Sequence, residues 1–265
     1  GTLTTGNIGG QLIGPIFGGY IAGLFGYQIP FFIFGGLMFV ATIVTLFFVK
    51  EDFKPMDVRN PLANKNAFAG IKHKGIVWAM IISSMLIQAA TTSINPIISL
   101  FVKELMHGHG NVAMTSGVIA ALPGIATLLA ASRLGALSDH IGPQKVLITG
   151  LIFCGCLFLP MYFVTSVYTL GIFRFLVGIS DAALLPVTQT VMTLDTPAEA
   201  ISRIFSYNQS SQAIGSVVGP MMASLVAGVL DYRYVFLMTT GLVLINLAVV
   251  GFAYRQDRKT FKTAE

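Results

Sequence analysis

Residues 10–37 and 215–242 are two copies of one apolar hairpin. The first reads GQLIGPIFGGYIAGLFGYQIPFFIFGGL and the second GSVVGPMMASLVAGVLDYRYVFLMTTGL. Gly10, Gly14, Pro15, Ala22, Gly23, Tyr27, Phe31, Gly36 and Leu37 recur as Gly215, Gly219, Pro220, Ala227, Gly228, Tyr232, Phe236, Gly241 and Leu242, at a constant offset (215 − 10 = 205). A long apolar element that recurs at this spacing implies a fold made of two equivalent halves. It also predicts that the chain opens inside its first half, at an element expected to have four helices before it.

Composition restricts the environment of that fold. Hydrophobic residues make up 54% of the 265 residues and charged residues 10%, with a mean hydropathy of +0.78. So little polar sequence cannot coat a water-soluble domain of this length. Several apolar runs exceed the roughly 18 residues that cross a bilayer as helix. They are continuous and do not alternate with period two, which excludes a membrane barrel. In lipid each backbone N–H must be paired within its own segment, so the runs are helices. The predicted fold class is therefore all-α and polytopic in a membrane.

Eight spans are expected, at about residues 4–25, 30–49, 76–102, 113–134, 145–165, 167–190, 205–229 and 234–254. The polar stretch 50–75 carries Pro55, Pro61, Asn60 and Asn64 and separates the second span from the third. It reads as a linker between two helical bundles, with room for a short surface helix around Leu62–Ile71. The expected organisation is residues 1–50 as the last two helices of a first bundle, 51–75 as the linker, 76–255 as a six-helix bundle, and 256–265 as a tail. The net charge of +5 does not signal nucleic acid, because the basic residues sit in connections between spans. Thirteen Lys and Arg fall on one set of connections and the tail. The opposite set holds only Lys103 and Arg233. This asymmetry predicts a cytoplasmic-membrane protein with residue 1, the linker and the tail all on the cytoplasmic side.

A stripe of small residues runs through the repeated helix. Gly6, Gly10, Gly14, Gly18 and Ala22 recur every four positions, matched by Ser211, Gly215, Gly219, Ala223 and Ala227. Such stripes let helix backbones approach closely in lipid. Pro15 and Pro220 each remove a helical hydrogen bond and predict a bend. The segment from Gly10 through Gly14, Pro15, Gly18 and Gly19 resembles the fifth-helix antiporter motif of the major facilitator superfamily, in its twelve-helix drug:proton antiporter branch. The resemblance covers essentially the whole chain and implies helices five to twelve of that fold, eight of twelve. The second copy, with Ala223 and Ser224, lacks the double glycine, as expected if the full motif belongs to the first half.

Between the fourth and fifth spans stands Gly135-Ala-Leu-Ser-Asp139-His140-Ile-Gly142-Pro143-Gln-Lys145. Read physically it is a tight turn, with Gly142 free to take a positive φ and Asp139 free to accept backbone or basic partners. It is similar to the family's loop motif G-x-L-x-D-R-x-G-R-K, with His140 in place of the usual Arg and Pro143-Gln144 diluting the basic pair. The resemblance implies a gating role for Gly135, Asp139, Gly142 and Lys145.

Arg174 and Asp181 are the charged residues well inside a span, seven apart and so on one helix face. Ionisable groups at membrane depth are functional candidates by default. Arg174-Phe-Leu-Val-Gly178 is similar to the family's R-x-x-x-G motif. Arg174 stands about 10 Å from the outer end of its span, close enough to snorkel outward instead. Asp181, deeper, is a candidate proton carrier, or a carboxyl kept neutral or paired for structural reasons. Further polar faces are formed by Gln88, Thr92, Asn95 and Ser99, by Asn208 and Gln212, and by Thr188 and Gln189 after Pro186. Gln88, Asn95, Gln189, Asn208 and Gln212 are candidates for a substrate pathway or for interhelical hydrogen bonds.

Cys154 and Cys156, two apart, point to different faces and read as small core residues. No zinc spacing, phosphate loop or catalytic elbow is present, so no metal, cofactor or enzyme activity is expected. What the resemblance implies is a secondary transporter that exports amphipathic, often cationic drugs in exchange for protons by alternating access. Its partners would be small molecules, protons, the lipid bilayer and the missing N-terminal helices, with no nucleic acid. Eight helices alone are expected to be inactive. A facilitator-fold carrier of sugars or other metabolites, or a non-transporting receptor or scaffold, are the alternatives.

Overall fold

In the computed structural model, the backbone is described for residues 2–48, 71, 73–107 and 109–262. These residues form nine helices: α1 Thr2–Phe25, α2 Gln28–Phe48, α3 Lys74–Ser93, α4 Asn95–Leu105, α5 Val112–Ile141, α6 Pro143–Met161, α7 Val167–Asp195, α8 Ala198–Val229 and α9 Tyr234–Lys262. Seven helical segments are long and apolar enough to cross a membrane, α3 and α4 counting as one, and residues 13–25 of α1 add a shorter apolar stretch. The surface helix expected around Leu62–Ile71 lies outside the described residues, apart from Ile71, which joins the core.

The third span is present as expected, from Lys74 to Leu105, with one interruption. It breaks at Ile94 into α3 and α4. Pro96, at the start of α4, has no N–H to give back across the interruption. Just upstream, Thr91, Thr92 and Ser93 turn their hydroxyls onto the carbonyls of Ile87, Gln88 and Ala90 at 2.6, 2.7 and 2.7 Å, a habit that bends helices. The turn expected over Gly135–Lys145 is corrected. α5 continues to Ile141, so Gly135 and Asp139 are helical and only Gly142 turns, at φ 93°. Pro143 then opens α6 at a position where its missing N–H costs nothing.

α3 is the hub of a six-span bundle built from α3–α4 to α9. On one side it meets α8, where a Cβ placed on Gly215 or Gly219 would strike the backbone of Met85 or Ala89. Ser211 adds a hydrogen bond to the Ile81 carbonyl at 3.0 Å. On other sides, the Ser84 hydroxyl donates to Thr188 of α7 at 3.1 Å, and Ser93 bonds Thr239 of α9 at 3.0 Å. Lipid offers helices little hydrophobic reason to associate, so close backbones and interhelical hydroxyl bonds hold such a bundle together. α1 packs along α5, and α2 packs on α1 with most of its side chains exposed. Cys154 is buried as expected, whereas Cys156 is exposed on the opposite face of α6 and is not a core residue.

Candidate functional site

α7 is held against α5 by the glycine of its Arg174–Gly178 pair. A Cβ on Gly178 would collide with the backbone of Pro123, and the Thr127 hydroxyl donates to the Gly178 carbonyl at 3.0 Å. This contact puts the face carrying Arg174, Asp181 and Leu185 onto a cavity of about 550 Å³. The opposite wall is Gln88, Thr91 and Thr92 of α3 with Asn95 and Ile98 of α4. Pro123, Gly124 and Thr127 of α5 and Pro15 of α1 complete it. Pro15 brings the antiporter-like motif into the lining.

Arg174 is 4% exposed, and its Nε is buried without a hydrogen-bond partner. It therefore does not snorkel outward: the side chain belongs to the cavity. Asp181 is half-buried and lies between this cavity and a chamber of about 10 Å³ lined also by Cys154 and Asn246. Asp181 and Arg174 both line this cavity and are electrostatically coupled. The amide oxygen of Asn246 is buried without a partner, while its Nδ2 donates to the Ser83 carbonyl at 3.5 Å.

The structure thus gathers Gln88, Asn95, Arg174, Asp181 and Pro15 in one place and leaves other candidates elsewhere. Gln189, Asn208 and Gln212 do not line the cavity. Asn208, 1% exposed, and Gln212 each keep one buried amide atom without a partner on α8. Gln189 is half-buried, and its carbonyl accepts the Thr193 hydroxyl at 2.9 Å. Asp139 is exposed on the last turn of α5. Thr91 and Thr127 were not singled out from sequence, although Thr127 follows a Pro-Gly pair inside a span, a signal that marks a special position.

Among the described residues, the small-residue stripe is not the line along which α1 meets α5. Gly10 and Gly14 have no described neighbour, and Gly18 faces the Phe34 ring at 3.7 Å. The close seam runs one residue over. A Cβ on Gly19 would stand 2.7 Å from the Ala113 carbonyl oxygen, one on Gly117 would strike the Pro15 carbonyl, and one on Gly23 would strike the Asn111 side chain. Asn111 also caps α5, accepting from the Met114 N–H at 3.0 Å. Among the described residues, no group of three His, Cys, Asp or Glu could hold a metal ion.

A polytopic helical bundle with a polar, charged cavity at membrane depth is the architecture of a membrane carrier. The family model of the Major Facilitator Superfamily matches residues 1–132 and 80–265, and the chain belongs to that superfamily. It is 42% identical over 260 residues to the Multidrug resistance protein MdtG of Citrobacter koseri, covering 98% of this chain and 64% of that protein. It is 42% identical over 258 residues to MdtG of Salmonella heidelberg, covering 97% and 64%, and 44% identical over 258 residues to MdtG of Escherichia coli K12, covering 97% and 63%. The chain therefore spans less than two thirds of the length of these relatives. Membership of a multi-span transporter family places it in a cell membrane.

Proposed function

We propose that this chain forms helices five to twelve of a secondary transporter that exports amphipathic drugs in exchange for protons. The observation that carries the reading is the single cavity that joins Arg174, Asp181, Gln88 and Asn95 beside Pro15 of α1. Asp181 is the group there that can bind and release a proton, and the amides of Gln88 and Asn95 offer hydrogen bonds to a substrate. The seam of Pro15, Gly19 and Gly23 on Asn111, Ala113 and Gly117 closes one half of the α1–α5 interface. Rocking α1 and α2 against the bundle would open that half and expose the cavity to the other face of the membrane. The charge asymmetry of the connections supports a cytoplasmic position for both ends of the chain. The similarity to proteins named for multidrug resistance supports drugs as the substrate class.

The test is a chimera in which the first four helices of the Escherichia coli relative precede residues 1–265. In everted vesicles it should move a fluorescent dye only under a proton gradient, and a protonophore should abolish the movement. Asp181→Asn should leave membrane insertion intact and remove the dependence on the gradient. A chimera that inserts but moves no dye would overturn the transport reading. Gradient-driven movement that survives Asp181→Asn would remove Asp181 from the proton role.

A further inference from the structure

Asp181 stands between two spaces of different chemistry. On one side is the wide cavity, where it is electrostatically coupled to Arg174. On the other is the chamber of about 10 Å³, walled by Leu151, Phe158, Leu184 and Val243 and completed by Cys154 and Asn246. A chamber of that size has room for about one water, or for the hydroxyl end of a carboxyl group turned into it. Asn246 of α9 is 1% exposed, and its amide oxygen has no hydrogen-bond partner among the described residues. Its orientation is set by α3. Nδ2 donates to the Ser83 carbonyl at 3.5 Å, and turning the amide over would bring oxygen against oxygen. A buried acceptor without a donor is costly, and the group across the chamber that can supply a donor is Asp181.

A carboxylate has only lone pairs to offer, whereas a carboxylic acid carries an O–H that an amide oxygen can accept. The chamber therefore suits the protonated form of Asp181, and the Arg174 side suits the ionised form. We propose that Asn246 is a positioning residue for proton coupling: its amide oxygen accepts the O–H of protonated Asp181 and turns that side chain toward α9, away from Arg174. Loss of the proton to the wide cavity removes the donor and returns the carboxylate to the Arg174 side. Among the described residues lining the two spaces, the other ionisable groups are Arg174 on the same helix and the Cys154 thiol on α6. The linings from α1, α3, α4, α5 and α9 are amides, hydroxyls and apolar groups. The inference rests on the reading of Asp181 as the proton-binding group. It adds α9 to a coupling site otherwise confined to α7.

The experiment is infrared difference spectroscopy of the chain in phosphatidylcholine nanodiscs, titrated with acid. The carboxyl C=O band that Asp181→Asn removes belongs to Asp181. Asn246→Leu keeps the shape of the side chain and loses the acceptor. Its Asp181 band should titrate about one pH unit lower than in the wild-type chain, the worth of one hydrogen bond to the acid form. A merely structural role for Asn246 gives the opposite sign, because an alkyl group in place of an amide makes the site more apolar and disfavours the carboxylate. Asn246→Val, which loses the acceptor in a smaller side chain, should shift the band in the same direction, and it carries the test if the Leu variant does not fold. A midpoint unchanged or raised in these variants would overturn the inference and leave Asp181 as a proton carrier. Absence of any titrating band that depends on Asp181 would remove the proton reading itself, and the inference with it.

Discussion

The two copies of the repeated helix, α1 and α8, share a sequence pattern and use opposite faces of it. In α8 the positions Gly215 and Gly219 press against the backbone of α3, while Gly228 has no neighbour within 4 Å. In α1 a Cβ on the matched Gly10 or Gly14 would meet none of the described residues within 4 Å, and it is Gly23, the match of Gly228, that meets Asn111 of α5. Gly19 packs on α5, whereas its counterpart Ser224 is exposed. Each face that one copy leaves open is the face the other uses. A glycine stripe therefore records the ability to approach a partner and does not say which partner is approached.

The largest effect should come from Gly219→Val, because the added methyls meet backbone, which cannot step aside. A loss of about 3 kcal/mol is expected, measured by unfolding in detergent. The matched Gly14→Val should change stability by less than about 0.5 kcal/mol, and equal losses in the two variants would erase the asymmetry. Next is the α1–α5 seam. Asn111→Ala removes the α5 cap and should cost about 1 kcal/mol, by the same measurement. The double variant Gly23→Cys with Asn111→Cys should cross-link under mild oxidation, because a Cβ at position 23 would already meet the Asn111 side chain. Failure to cross-link would mean that the copies do not differ at this position. The smallest structural effect belongs to Asp139→Asn on the exposed end of α5. Stability should stay within about 0.5 kcal/mol, while dye export by the chimera slows. Unchanged export would remove Asp139 from gating.

The spans were legible because lipid forces helix on any sufficiently long apolar run, and each expected span has a helical counterpart among the described residues. What escaped sequence reading was local. The break at Ile94 depends on three side chains bending back onto their own helix, and hydropathy averages over such bonds. Gly135 and Asp139 looked like turn residues because turn composition and a polar helix end are alike. In the site, Gln88 and Asn95 were found by helical spacing, and Arg174 and Asp181 by the cost of charge in lipid. Their meeting in one cavity was not readable, since it depends on which faces of α3, α5 and α7 pack together. The same ignorance placed Gln189, Asn208 and Gln212 beside them in expectation.

The interruption at Ile94 lies in the cavity wall, with Gln88, Thr91 and Thr92 on one side of it and Asn95 and Ile98 on the other. That wall is two rods joined at a knuckle. The angle at Ile94 therefore sets where Asn95 and Ile98 stand relative to Gln88, Thr91 and Thr92 in that wall. The shorter rod is anchored by Ile97, Phe101 and Val102 in the core and by the Phe101 ring against Phe236 of α9, at 5.4 Å between ring centres, so the angle at the knuckle is tied to the packing of the bundle.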